Sequence, residues 1–184
     1  MRCSVLLAVS GWMVLYAADE IPRHTGAIDD FQNRVAEYAM LHEAAQGKSS
    51  AVKQTNSAAA ILNGQHLLAA EIRQKRQGVV QGNIFSPEIS QEFRRLAGTA
   101  THGPAAGRVQ KSLKRAEPVK LALTVNDTYP QRAPLQSVPP TLLQNLPALP
   151  PELEYRVVGH ALVLRDIGAN LIVDFIPDLI PNAK

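Results

Sequence analysis

Apolar positions recur at helical spacing through the first two thirds of this chain and alternate in its last third. Phe31, Val35, Tyr38 with Ala39, His42 and Ala45 fall on one helical stripe, with Asp29 and Asp30 near the positive pole and Gly47 as a stop. A polar linker over 48–56 then leads to a second helix. Ile61, Leu62, Leu68, Ala69 and Ile72 form its stripe, Arg73, Lys75 and Arg76 occupy the C-terminal turn that favours cations, and Gly78 ends it. Ser86-Pro87-Glu88 predicts a third helix start, combining a hydroxyl cap, a proline already at the helical φ and a carboxylate at the positive end. Ile89, Phe93 and Leu96 are its apolar face and Gly98 its stop, while Val109 and Leu113 support a weaker fourth helix over 104–115.

After residue 116 the periodicity changes. Leu121, Leu123 and Val125 alternate over 120–125 and predict a strand. Most of the thirteen prolines lie between Glu117 and Pro151, so the connection 117–152 is expected to be extended and irregular, with at best one helical turn near 141–144. In the last third, placing Gly159-His160 in a two-residue type II′ turn sets Val158 opposite Ala161, Val157 opposite Leu162, Tyr155 opposite Leu164 and Glu154 opposite Arg165. Leu153, Tyr155, Val157, Leu162 and Leu164 then share an apolar face, and Glu154, Arg165 and Arg156 share the other. A further strand over 170–176 would place Leu171, Val173 and Phe175 inward and stop at Pro177. The pattern predicts an α+β fold: about four helices over 27–116, packed on a small, mostly antiparallel sheet over 153–177.

The first eighteen residues follow neither pattern. Met1-Arg2 opens a nearly unbroken apolar run from Cys3 to Ala17, which gives way after Ala18 to Asp19-Glu20. That arrangement predicts a secretory signal peptide over 1–18, with a retained N-terminal membrane anchor as the alternative. Cleavage would remove the chain's one cysteine, so the mature part, about 166 residues read as one domain, would have no disulfide and no thiolate metal site. Aromatics make up only 5% of the chain, so its core must rest on aliphatic side chains.

Charge is uneven along the chain. Between Glu71 and Lys120 stand ten basic and four acidic residues, in a chain whose net charge is +3. Arg73, Arg76, Arg94, Arg95, Lys111 and Arg115 would form one anion-binding surface if the second, third and fourth helices align. The partner expected there is an anionic envelope polymer or a lipid headgroup. Nucleic acid is not expected, because stacking aromatics are absent from that stretch apart from Phe85 and Phe93, which the core claims.

Two stretches resemble a family of uncharacterised exported bacterial proteins. One is Phe31-Gln-Asn-Arg34-Val35-Ala-Glu-Tyr38 with Glu71-Ile72-Arg73, Gln81-Gly82-Asn83-Ile84-Phe85-Ser86-Pro87 and Phe93-Arg94-Arg95-Leu96. The other is Leu153-Glu154-Tyr155-Arg156-Val157-Val158-Gly159 with Leu162-Val163-Leu164-Arg165-Asp166 and Asn170-Leu171-Ile172-Val173-Asp174-Phe175-Ile176-Pro177. The resemblance implies a bacterial envelope location and carries no activity.

Catalytic signatures are sparse. His160, Asp166 and Asp174 have the side chains of acid–base or metal sites, but the hairpin register puts His160 at the tip and Asp166 at the open end. The expectation is a turn histidine and two strand-end aspartates that cap loops or pair with Arg156 and Arg165. His42 and His66 lack the two-histidine spacing of a helical metal site and are read as boundary residues. No Walker, dinucleotide or G-x-S-x-G motif appears, and no catalytic residue, metal or cofactor is assigned. The functional expectation is an exported envelope protein that binds or supports structure without catalysis. The alternative is a periplasmic hydrolase with an unrecognised acid/base site.

Overall fold

A computed structural model describes residues 20–49, 57–102, 122–130 and 140–179 of the chain. The predicted signal peptide and the fourth helix at 104–115 lie outside them. Three long helices, α1 (Glu20–Ser49), α2 (Ala58–Lys75) and α3 (Pro87–His102), precede a single turn, α4 (Pro140–Leu143). Three strands follow: β1 (Leu153–Val158), β2 (Ala161–Asp166) and β3 (Leu171–Ile176). They form one antiparallel sheet in the order β1-β2-β3, so the α+β expectation stands, with three helices of several turns among the described residues.

Two glycines expected as stops lie inside helices: α1 runs through Gly47 and α3 through Gly98. Glycine in a helix interior costs only about 1 kcal/mol relative to alanine, too little to end a helix that packing supports. At α3 the expected start holds, because Ser86 Oγ accepts the Ile89 N–H at 3.4 Å and donates to the Glu88 carboxylate at 2.9 Å. The α2 stripe is buried only at Leu68, Ala69 and Ile72, whereas Ile61 and Leu62 are exposed.

The hairpin pairs as its sequence predicts, Val158 with Ala161 through Glu154 with Arg165. Gly159 has φ 60° and His160 does not have a positive φ, the combination of a type II′ turn. Leu153, Tyr155, Val157, Leu162 and Leu164 join Phe31, Ile72, Ile89 and Phe93 in the main core. Phe31, Phe85 and Phe93 pack with ring centroids 4.9–5.6 Å apart, and Tyr155 continues the cluster 6.1 Å from Phe93. Aromatics are few in this chain, yet three of the four phenylalanines converge where α1, α3 and the sheet meet.

Strand β3 departs from the expected alternation. Leu164 pairs with Asp174 but Arg165 pairs with Ile172, so Val173 is an extra residue, a β-bulge. Val173 and Asp174 therefore both face the main core, and the phase of the strand reverses beyond them. Phe175, expected inward, lies instead with Tyr129, Val158, Val163 and Ile172 on the opposite face. That second face is covered in part by 122–130. Its expected strand over 120–125 is not observed in the described residues 122–125, and pairing occurs further along. Asn126 N–H donates to Ile172 O, Ile172 N–H to Asp127 O, and Thr128 bridges Leu171. This segment covers the outer edge of β3, while no described strand pairs with the outer edge of β1.

Candidate functional site

The polar residues with the most chemical potential are gathered between the helices and the sheet. His42 extends the α1 stripe of Phe31, Val35, Tyr38 and Ala45, so it must point inward. It is only 3% exposed, and its Nδ1 lies 2.6 Å from Asp166 Oδ2. The Tyr38 hydroxyl donates to the same oxygen at 2.8 Å, and Ala169 N–H donates to Asp166 Oδ1 at 2.7 Å. Asp166 thus caps the β2–β3 turn, as a strand-end aspartate can, but its charged partner is His42 from α1 and not Arg156 or Arg165. The boundary role expected of His42 is accordingly replaced by a buried ion pair.

Hydrogen bonding to Asp166 raises the His42 pKa, and the charges of Asp166 and Glu152 add to this, against the lowering effect of burial. Burial, with Asp166 beside it, pushes the Tyr38 phenol far up, so it remains a neutral donor.

These shifts set the sign of a pH dependence. The folded state holds the His42 proton more tightly than the unfolded chain, whose histidine titrates near 6.5. The stabilisation is fully present below that value and disappears as pH rises through the raised folded pKa. Thermal unfolding across this range should therefore show wild-type stability falling relative to His42→Gln as pH rises. Parallel curves for the two proteins would remove the ion pair from the account.

Asp174 is also fully buried. The bulge aims its carboxylate at the loop 81–86, where Oδ2 accepts the N–H groups of Ile84 at 2.7 Å and Phe85 at 2.9 Å, and Oδ1 accepts Gly82 N–H at 3.0 Å. Gly82 has φ 94°, a conformation that glycine reaches without strain and that turns its N–H toward the carboxylate. Asp174 is thus an internal anion held by backbone donors.

Arg76 completes the buried set. It sits at the C-cap of α2, 3% exposed, with its guanidinium carbon 5.0 Å from the Tyr38 ring centroid. Its Nη2 donates to Val173 O at 3.0 Å, so the bulge residue's carbonyl has a buried partner. Burial lowers its pKa, opposed by Tyr38 and by the negative charges of Asp174 and Asp166. Arg76 therefore cannot belong to the surface patch expected of it, because a core acceptor takes its side chain inward.

The other described members of that patch each have a partner of their own. Arg73 holds 122–130 in place through Asn126 O at 2.9 Å and Thr128 Oγ1 at 2.8 Å. On α3, Arg94 is exposed and donates to Pro177 O, and Arg95 is exposed and pairs with the buried Glu92. Lys111 and Arg115 lie outside the described residues. His160 is exposed at the hairpin tip, apart from both aspartates. Among the described residues, no group of three or more His, Cys, Asp or Glu side chains is placed to hold a metal ion, and no helix is long and apolar enough to cross a membrane.

Among the described residues, a concave feature with a largely apolar lining lies elsewhere. A groove of about 500 Å³ runs along the outer edge of β1, between that strand and the segment 143–149. Leu143, Leu146, Leu149, Leu153 and Tyr155 give it an apolar lining, to which Glu154 and Arg156 add a charged pair. The Tyr155 hydroxyl, donating to Pro147 O at 3.0 Å, ties the two walls together. Pro147, Pro150 and Pro151 lack N–H groups, so this segment is poorly suited to pair with β1 as a strand, and it stands off as a wall. The opening signal was available in the sequence as leucines spaced through a proline-rich run, but their convergence on the sheet edge was not. Comparison with protein-family models, with curated proteins and with solved structures gave no match to the chain.

Proposed function

We propose that this protein is an exported module of the bacterial envelope that works by binding rather than by catalysis, and that it binds in the groove beside β1. The N-terminal pattern and the resemblance to exported proteins motivate the location. The groove carries the binding reading, since its volume falls in the range of ligand sites and its aliphatic wall suits an apolar guest. The hydrolase alternative has less support. Asp166 and His42 have the pairing of an acid–base relay, but both are buried and both carboxylate oxygens are already engaged. An anionic polymer or headgroup would meet, of the described members of the expected basic surface, mainly Arg94 and Arg95.

The reading is tested by titrating the protein with the neutral apolar fluorophore N-phenyl-1-naphthylamine. Saturable binding is expected. Leu143→Glu should weaken it about tenfold without lowering the melting temperature, because Leu143 is 48% exposed at the groove rim. Fluorescence that rises without saturation, or that ignores this substitution, would argue against the groove.

A further inference from the structure

Beyond its apolar lining, the groove holds a charged pair, Glu154 and Arg156, whose hydrogen bonding is incomplete. Arg156 lies on the second face of the sheet, at the edge strand, and donates through Nη2 to Glu154 at 2.6 Å. Its Nε is buried with no acceptor. Tyr129, which packs on that same face and is 3% exposed, likewise has a buried hydroxyl with no partner. Of these two residues only Arg156 lines the groove, and its free donor is a group that water or a ligand can satisfy.

The local charge also favours an anion. Glu154 is held by two arginines, since Arg165 Nη1 donates to its other carboxylate oxygen. Arg165 also donates through Nε and Nη2 to Asn170 Oδ1 at 2.9 and 2.6 Å. One carboxylate is thus shared by two arginines, and of the two it is Arg156 that lines the groove. A guest with an apolar chain and one negative end would lay the chain against Leu143, Leu146 and Leu149 and bring its charge to Arg156.

We infer that the groove ligand is an apolar-chain carboxylate of the fatty-acid class, with its headgroup received by Arg156. This rests on the binding role proposed for the groove and adds the identity of the guest. Arginine suits the task because its planar fork can release one donor to a carboxylate while keeping Glu154 on another. The ion pair at this site is partly exposed, so headgroup recognition adds to binding by the apolar wall and does not replace it.

The test compares dodecanoate with uncharged dodecanol by calorimetry, using the full chain and its Arg156→Met and Leu143→Glu variants. Circular dichroism confirms that each variant is folded. Dodecanoate is expected to bind about tenfold more tightly than dodecanol, with Arg156→Met removing that advantage and leaving dodecanol unchanged. Leu143→Glu should weaken both. Equal binding of the two compounds by the wild type, unaffected by Arg156→Met, would overturn the headgroup assignment while leaving the groove as an apolar site, with the orphan donors satisfied by water. Failure of both compounds to bind would overturn the groove reading and this inference together. Should Arg156→Met unfold the protein, Arg156→Lys replaces it. Lysine keeps the charge but loses the fork, and is expected to retain only part of the preference for dodecanoate.

Discussion

Replacing Asp174 with alanine is expected to cost about 3–5 kcal/mol of folding stability, because it strands several buried backbone donors at once. The Gly82, Ile84 and Phe85 N–H groups all converge on this carboxylate, and its charge opposes that of the buried Arg76. An unsatisfied buried donor costs about 1–3 kcal/mol, and water entering the gap would recover part of that. Asp174→Asn should cost less, since one oxygen can still accept while the amide group faces a donor it cannot serve. Denaturant unfolding measures both, and amide exchange at Gly82, Ile84 and Phe85 should quicken in each variant. A loss under about 1 kcal/mol for alanine, the range of ordinary surface changes, would mean that the loop does not depend on the internal anion.

Asp166→Ala is the second large effect, also about 3–5 kcal/mol at a pH where His42 is protonated. The substitution removes the acceptor of the Tyr38 hydroxyl and the Ala169 N–H, and it leaves an imidazolium buried. The loss should shrink once His42 is itself removed. In a double-mutant cycle of Asp166→Ala with His42→Leu, the two changes should therefore couple by about 1–3 kcal/mol. Additive effects would show that the short contact between these side chains has no energetic consequence.

Both aspartates act by tying the helical half to the sheet, which explains why their loop-capping role was legible in the sequence but their partners were not. The hairpin was legible because everything that specifies it is local: period-two alternation, a glycine at the turn and opposite charges across one register. The start of α3 was legible for the same reason. The bulge was not. Leu171, Ile172, Val173, Phe175 and Ile176 are all apolar, so no alternation marks the place where the phase changes. Without the bulge, Asp174 would face the other side and Arg76 would lose its acceptor. The His42–Asp166 contact spans 124 positions of sequence, beyond the reach of any local rule. One hint was present, since His42 continues a stripe of buried residues and a histidine facing a core needs a partner. Arg76 gave no such hint, because cations at a helix C-terminus are favourable in solvent as well. The groove arises from tertiary packing of α4 and the proline-rich wall against an edge strand, and neither wall announces the other.

The central claim is that the chemistry-bearing residues are structural and that the groove beside β1 is where the protein acts. Amide NMR spectra of isotopically labelled protein, recorded through a titration with N-phenyl-1-naphthylamine, test it most directly. The account predicts shifts that saturate and concentrate on Leu143, Leu146, Leu149, Leu153 and Tyr155, with the amides of Tyr38, His42 and Asp166 undisturbed. Shifts centred on His42 and Asp166, with the groove residues silent, would contradict it.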